Sequence, residues 1–186
     1  MKLQEKFVQL EKDRLTLLNE IKILNDDELN YKPKPDKWSI IQVIHHLIKS
    51  EQLSVVYIKR KISNKSNIDK SNLRSKFNAF ALKWGLNFPI KFKAPASVSN
   101  VPDFDTFENT TSKWDNVRNS FIDLINNNSE KILDRDIFKH PIAGKMNIIG
   151  TLDFFDAHFK HHKKQIKSLL THLTQEKKWK KTSYFY

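Results

Sequence analysis

Between Ile148 and Leu173 the chain carries an unbroken apolar seam. It runs Ile148, Leu152, Phe155, Phe159, His162, Ile166, Leu169 and Leu173, at spacings of 4, 3, 4, 3, 4, 3 and 4. That seven-residue repeat puts every one of these side chains on a single stripe of one long helix. Such a stripe cannot stand alone in water, so other helices have to cover it. Asn147 is placed to cap the helix start. One polar residue, His162, occupies a core position in the seam. His158 flanks it, on the side of Thr151, Gln165 and His172, and His161 falls on the outer face.

The remaining chain supplies the covering helices. Leu3, Phe7, Leu10, Leu17, Ile21 and Leu24 recur at helical spacing and predict a first helix over about residues 2–24. A connector follows, NDDELNYKPKPDKW, with one short turn expected at Asp26–Leu29. Ser39 is a good N-cap for a second helix over about residues 40–62. This helix is apolar on more than one side, which puts it at the centre of its domain. Periodicity leaves open whether His45 or His46 faces inward. Residues 63–101 read as a long irregular connection, with a helix between Leu73 and Leu86 and an extended stretch after it. Asp105 reads as the N-cap of a third long helix to about Asn126, buried along Phe107, Trp114, Val117, Phe121 and Leu124. A turn, HPIAGK, precedes the closing helix, and the basic, aromatic tail 176–186 reads as a frayed or docked end. With only 3 glycines in 186 residues and no domain boundary, the expectation is one all-α domain, 1–186, built as a four-helix bundle.

The chemistry centres on the histidines. His158 and His162 are four residues apart, so both imidazoles leave one helix face one turn apart and can reach one metal ion. A buried histidine on an apolar stripe is ordinarily a hydrogen-bonded core residue, so a third inward histidine is what would make a metal site. No cysteine is present, which excludes disulfides, thiolate ligands and a cysteine nucleophile. There is no nucleophile elbow, carboxylate dyad or phosphate-cradling glycine loop.

At this point the residues resemble a known family. KWSIIQVIHHLIKSE is similar to the Trp-Ser…His-Leu segment of the DinB/YfiT-like superfamily, and HPIAGKMNIIGTLDFFDAHFKHHKKQI resembles its closing region. The order of the two segments and the gap between them agree with that family across nearly the whole chain. The resemblance implies a four-helix bundle, usually dimeric, with a divalent metal held by three histidines at one end. The histidine just before Leu47 takes the place of the first ligand, so the implied set is His46, His158 and His162. Nickel or zinc is the implied ion, and neutral imidazoles suit such borderline metals better than calcium or magnesium. The resemblance further implies a metal-dependent enzyme, either a thiol S-transferase using a low-molecular-weight thiol such as bacillithiol, or a hydrolase. The alternative is a non-catalytic or stress-response module with a structural metal.

Around these ligands, Gln165 and Glu51 are within reach of orienting a histidine or a bound water, but the plainer reading makes Gln165 a packing amide and Glu51 a surface carboxylate. Trp38 reads as a packing residue at the bundle end, and His140 and His172 as ordinary loop and surface residues. The net charge of +12 comes from lysines spread along the chain, a pattern that fits a solvated surface. With no nucleic-acid-binding signature, binding through the lysines and tail is the weakest reading. A small-molecule substrate or thiol and a second copy of the chain are the expected partners. The charged N-terminus and the lack of a long apolar run predict a cytoplasmic protein without a membrane span.

Overall fold

The computed structural model describes residues 2–64, 96–140 and 144–183. Helix α1 spans Lys2–Ile21 and the short α2 spans Asp26–Leu29. Helix α3 spans Ile40–Ser63, the short α4 Ala96–Ser99, and α5 Phe107–Asn126. A short α6, Glu130–Leu133, leads to strands β1 (Phe138–His140) and β2 (Gly144–Met146), and α7 closes the chain over Ile148–Ser183. The four long helices form the expected bundle. The helix expected at Leu73–Leu86 and the extended stretch after it lie outside the described residues.

Local chemistry accounts for the ends. At α3, Ser39 accepts from the Gln42 N–H while the Gln42 side chain accepts from the Ser39 N–H, a reciprocal capping box. Asn25 and Glu28 make the same box at α2, which ends α1 at Ile21 rather than at Leu24. The α5 cap differs from expectation. Thr106 accepts from the Asn109 N–H, and the Asp105 carboxylate is drawn instead toward His45, Lys113 and Asn109. Asn147 caps α7, accepting from the Gly150 N–H. Two further differences stand out. The turn region holds a small antiparallel hairpin, Phe138 facing Met146 and His140 facing Gly144, with Gly144 at φ 75° where a side chain would be strained. The tail from 176 to 183 continues α7 as helix; it is docked at Lys177, which pairs with Glu28 of α2, while Trp179 is exposed.

Cross-helix pairs fix the directions. His45 meets Thr110 and Lys59 meets Ser120, so α3 and α5 run parallel. Lys6 pairs with Asp153 and Lys163 with Glu20, so α1 and α7 run parallel. Phe7 packs on Phe121 while Arg14 pairs with Asp115, which makes α1 and α5 antiparallel. Parallel neighbours α3 and α5 cannot be joined by a tight turn. The long connection over 64–106 is what this order requires.

The whole α7 seam, Ile148 to Leu173, is buried. The interior divides into two apolar clusters. One gathers Phe7, Val55, Phe121, Leu152 and Phe155; the other gathers Leu17, Ile44, Trp114, Phe159 and Ile166. A charged layer is buried within the same bundle. Glu51, read as a surface carboxylate, is 2% exposed. It accepts from Arg118 through two nitrogens, at 2.9 and 2.8 Å, and from the Trp114 indole at 3.1 Å. Burial pushes the Glu51 carboxyl up, and the Arg118 guanidinium and Trp114 N–H pull against it. Arg14 and Arg118 both lie over the Trp114 ring, at 5.6 and 5.9 Å. Among the described residues no helix is long and apolar enough to cross a membrane.

Candidate metal centre

Helix α3 contributes His46 and α7 contributes His158 and His162. All three are buried, and one ring nitrogen of each lies within 4.8 Å of the others. His158 Nε2 is 3.1 Å from His46 Nε2 and 3.1 Å from His162 Nε2. The far nitrogens of two rings are anchored. His46 Nδ1 is 3.0 Å from the Val98 carbonyl oxygen, and His162 Nδ1 is 2.9 Å from Gln165 Oε1. Both of those oxygens can only accept, so each Nδ1 carries the hydrogen and donates it. Each Nε2 then presents a lone pair to the centre.

Protonation does not rescue this crowding. Burial pushes all three imidazoles down, His162 to about 3 and His158 well below the ordinary range, and the neighbouring histidines push His158 and His162 further. His46 is lowered by burial too, against the pull of Val98. At neutral pH three uncharged rings therefore meet with at most one N–H, on His158, shared among three inward nitrogens. A cation among the nitrogens would convert this repulsion into attraction. The spacing fits that role. Nitrogens about 2.0–2.1 Å from one zinc ion stand about 2.9–3.4 Å apart at bond angles between square and tetrahedral. The donor set and its geometry thus fit a borderline divalent metal.

The flanks are aromatic. Phe154 stacks on His158, with ring centroids 5.3 Å apart and planes 15° from parallel. Trp38, packed at the edge of the core as expected, sits 5.3 Å from His46. His140 is not a plain loop residue. It lies on β1 with its ring 4.5 Å from Phe154, and burial lowers it to about 4. His161 is half-buried, 5.0 Å from the His162 ring, while His172 is exposed.

His46 and His45 are separated cleanly. His45 Nε2 sits 2.8 Å from Asp105 Oδ2 and 3.3 Å from the Thr110 hydroxyl, away from the other histidines. Burial lowers His45 while Asp105 pulls it back up. Burial pushes Asp105 up, yet Lys113, Asn109 and the Thr106 N–H outweigh it and hold the carboxyl at about 2. Gln165 does orient a histidine, so it is more than a packing amide. Glu51 is committed to Arg118 and Trp114. The Val98 anchor was beyond sequence reasoning, since any residue carries a carbonyl. Stacking by Phe154 had a signal, its position four residues before His158.

A family model described as the DinB superfamily matches residues 9–166, a span holding all three histidines. The chain belongs to the DinB superfamily. YuaE of Bacillus subtilis (strain 168) is 27% identical to this DinB-superfamily protein over 156 residues, covering 84% of this chain and 91% of YuaE. A protein of Oceanobacillus iheyensis named "Putative metal-dependent hydrolase OB0782" is 26% identical over 153 residues, covering 82% and 77%. The solved structure of YfiT from Bacillus subtilis, "a probable metal-dependent hydrolase with an unusual four-helix bundle topology", aligns with a TM-score of 0.57. That alignment covers 92% of this chain and 87% of YfiT at 16% identity, and it establishes the DinB/YfiT-type bundle.

Proposed function

We propose that His46, His158 and His162 hold one divalent metal ion, nickel or zinc, and that this DinB-superfamily protein is a metal-dependent enzyme of the hydrolytic kind named for its Oceanobacillus relative. The observation that carries this reading is the meeting of three neutral imidazole nitrogens, two of them turned inward by the bonds of their Nδ1 hydrogens to Val98 and Gln165. Once bound, such an ion supplies Lewis acidity and lowers the pKa of a coordinated water or thiol. The protein's own part is to fix the tautomers of His46 and His162, to clamp the His158 ring against Phe154, and to keep bulk water off the His46 side with Trp38. Three protein donors leave further coordination positions for a reactant.

The test is elemental analysis of protein purified without a metal-affinity tag. Near-stoichiometric metal is expected, and His162→Ala should lose it. A variant that keeps its metal would defeat the assignment.

Thiol transfer is the second chemistry open to the same centre, with a low-molecular-weight thiol in place of water. Consumption of monochlorobimane that needs both metal and a thiol would identify it. Ester or amide cleavage that needs metal alone would identify the hydrolase. A metal-loaded protein inert in both assays would instead carry a structural ion. We further propose a cytoplasmic homodimer. Light scattering should then return about twice the 22.0 kDa chain mass.

A further inference from the structure

A groove of about 580 Å³ lies between α3 and α5, and it is separate from the histidine cluster. His45 lines it and His46 does not, because successive helix residues project about 100° apart. The volume is in the range of small-molecule sites, about 300–1,000 Å³. Its floor is apolar, formed by Ile48, Val55 and Val117, all buried. Among the described residues that line it, there is no aspartate or glutamate.

The groove has a direction. Because α3 and α5 run parallel, Lys49 and Lys113 share one end, beside Asn100 and Pro102. Lys49 Nζ donates to the Asn100 carbonyl at 2.7 Å, a neutral acceptor that leaves the ammonium charge uncompensated at that contact. Lys113 Nζ donates to Asp105 at 2.8 Å, and that carboxylate is also taken up by His45, Asn109 and the Thr106 N–H. The end therefore keeps a positive excess, with both ammonium groups held in place by the chain. The other end is formed by Val55, Val56 and Ser120, whose hydroxyl accepts from a single ammonium, Lys59 Nζ, at 2.6 Å.

We propose that this groove is a second ligand site, taking a small organic anion whose carboxylate sits between Lys49 and Lys113 and whose apolar body lies along Ile48, Val55 and Val117. The site goes beyond the metal centre and does not depend on it. Charge selects the head of the ligand and the apolar floor selects its chain.

The probes are hexanoate and its uncharged analogue hexanamide, titrated into the full-length protein and followed by backbone amide NMR shifts. Hexanoate should bind more tightly than hexanamide and perturb amides along α3 and α5. Lys49→Gln should weaken hexanoate about tenfold, the scale of one lost charged hydrogen bond, and leave hexanamide unchanged. Val56→Asp, at an exposed position on the Ser120 end, should weaken hexanoate as well. His162→Ala should bind hexanoate as the wild type does. Equal affinity for the two probes, or unaltered hexanoate binding in Lys49→Gln, would overturn the proposal. So would loss of hexanoate binding in His162→Ala, since the carboxylate would then be a ligand of the metal centre.

Discussion

Gln165 governs His162 through one hydrogen bond, from His162 Nδ1 to Gln165 Oε1 at 2.9 Å, which keeps Nε2 free for the centre. Replacing Gln165 by Leu removes the acceptor and preserves the bulk, so the ring can turn and its tautomer can switch. Metal affinity should fall about tenfold to a hundredfold, measured by competition with a chelator of known affinity. An unchanged affinity would mean that packing alone orients His162. Glu51 makes a second case. Glu51→Gln keeps the shape but removes the close, buried counter-charge of the Arg118 guanidinium and leaves it only Glu11, 3.9 Å away and more exposed. The cost should be about 3–5 kcal/mol in urea denaturation. Replacing both by apolar residues of similar size should recover most of that loss. These two residues also mark where the sequence is readable. Gln165 stands three residues from its partner on the same helix, so the contact is visible as spacing. The partners of Glu51 lie 63 and 67 residues away on α5, and no local pattern reports them.

Among the elements, the long helices were legible because each carries a periodic apolar face, and α3 because its cap is written locally as Ser39 and Gln42. Ser39→Ala should lower stability by about 1 kcal/mol, read from the shift of the urea midpoint at constant slope. Because α3 positions His46, the same variant should bind metal normally once folded; weaker binding would mean that the cap also sets the helix register. The start of α5 was misread for a definite reason. Asp105 and Thr106 are adjacent and both are capping residues, and the choice between them was made by His45 and Lys113, groups outside the local segment. The β1–β2 hairpin was missed because three-residue strands are too short to display an alternating pattern. Its glycine, Gly144, was the one local sign of it.

At the scale of the whole molecule, the bundle order and the acid response both follow from what is buried together. Four amphipathic helices could pair in several ways, and periodicity does not choose among them. The long connection over 64–106 permits parallel α3 and α5, and cross-bundle pairs such as Arg14 with Asp115 then fix the neighbours. The same burial holds several imidazoles uncharged, with His140 lowered to about 4 and His162 to about 3, while His45, His46 and His158 are also lowered. In the unfolded chain these groups take up protons near their ordinary value of about 6.5. The unfolded state therefore binds more protons than the folded state in the window between those values. Stability is complete above about 6.5 and is lost progressively as pH falls through the folded values. Asp105, held at about 2, adds a loss only below the ordinary carboxylate range. The urea midpoint of metal-free protein should thus fall steadily from about pH 7 to about pH 5, and His140→Phe should make that fall shallower. In metal-loaded protein the fall should be steeper, because protons and the ion compete for the same three nitrogens. A midpoint that is flat across this window would mean that these histidines are hydrated in the folded state, and the closed geometry around His158 and His162 would then be wrong.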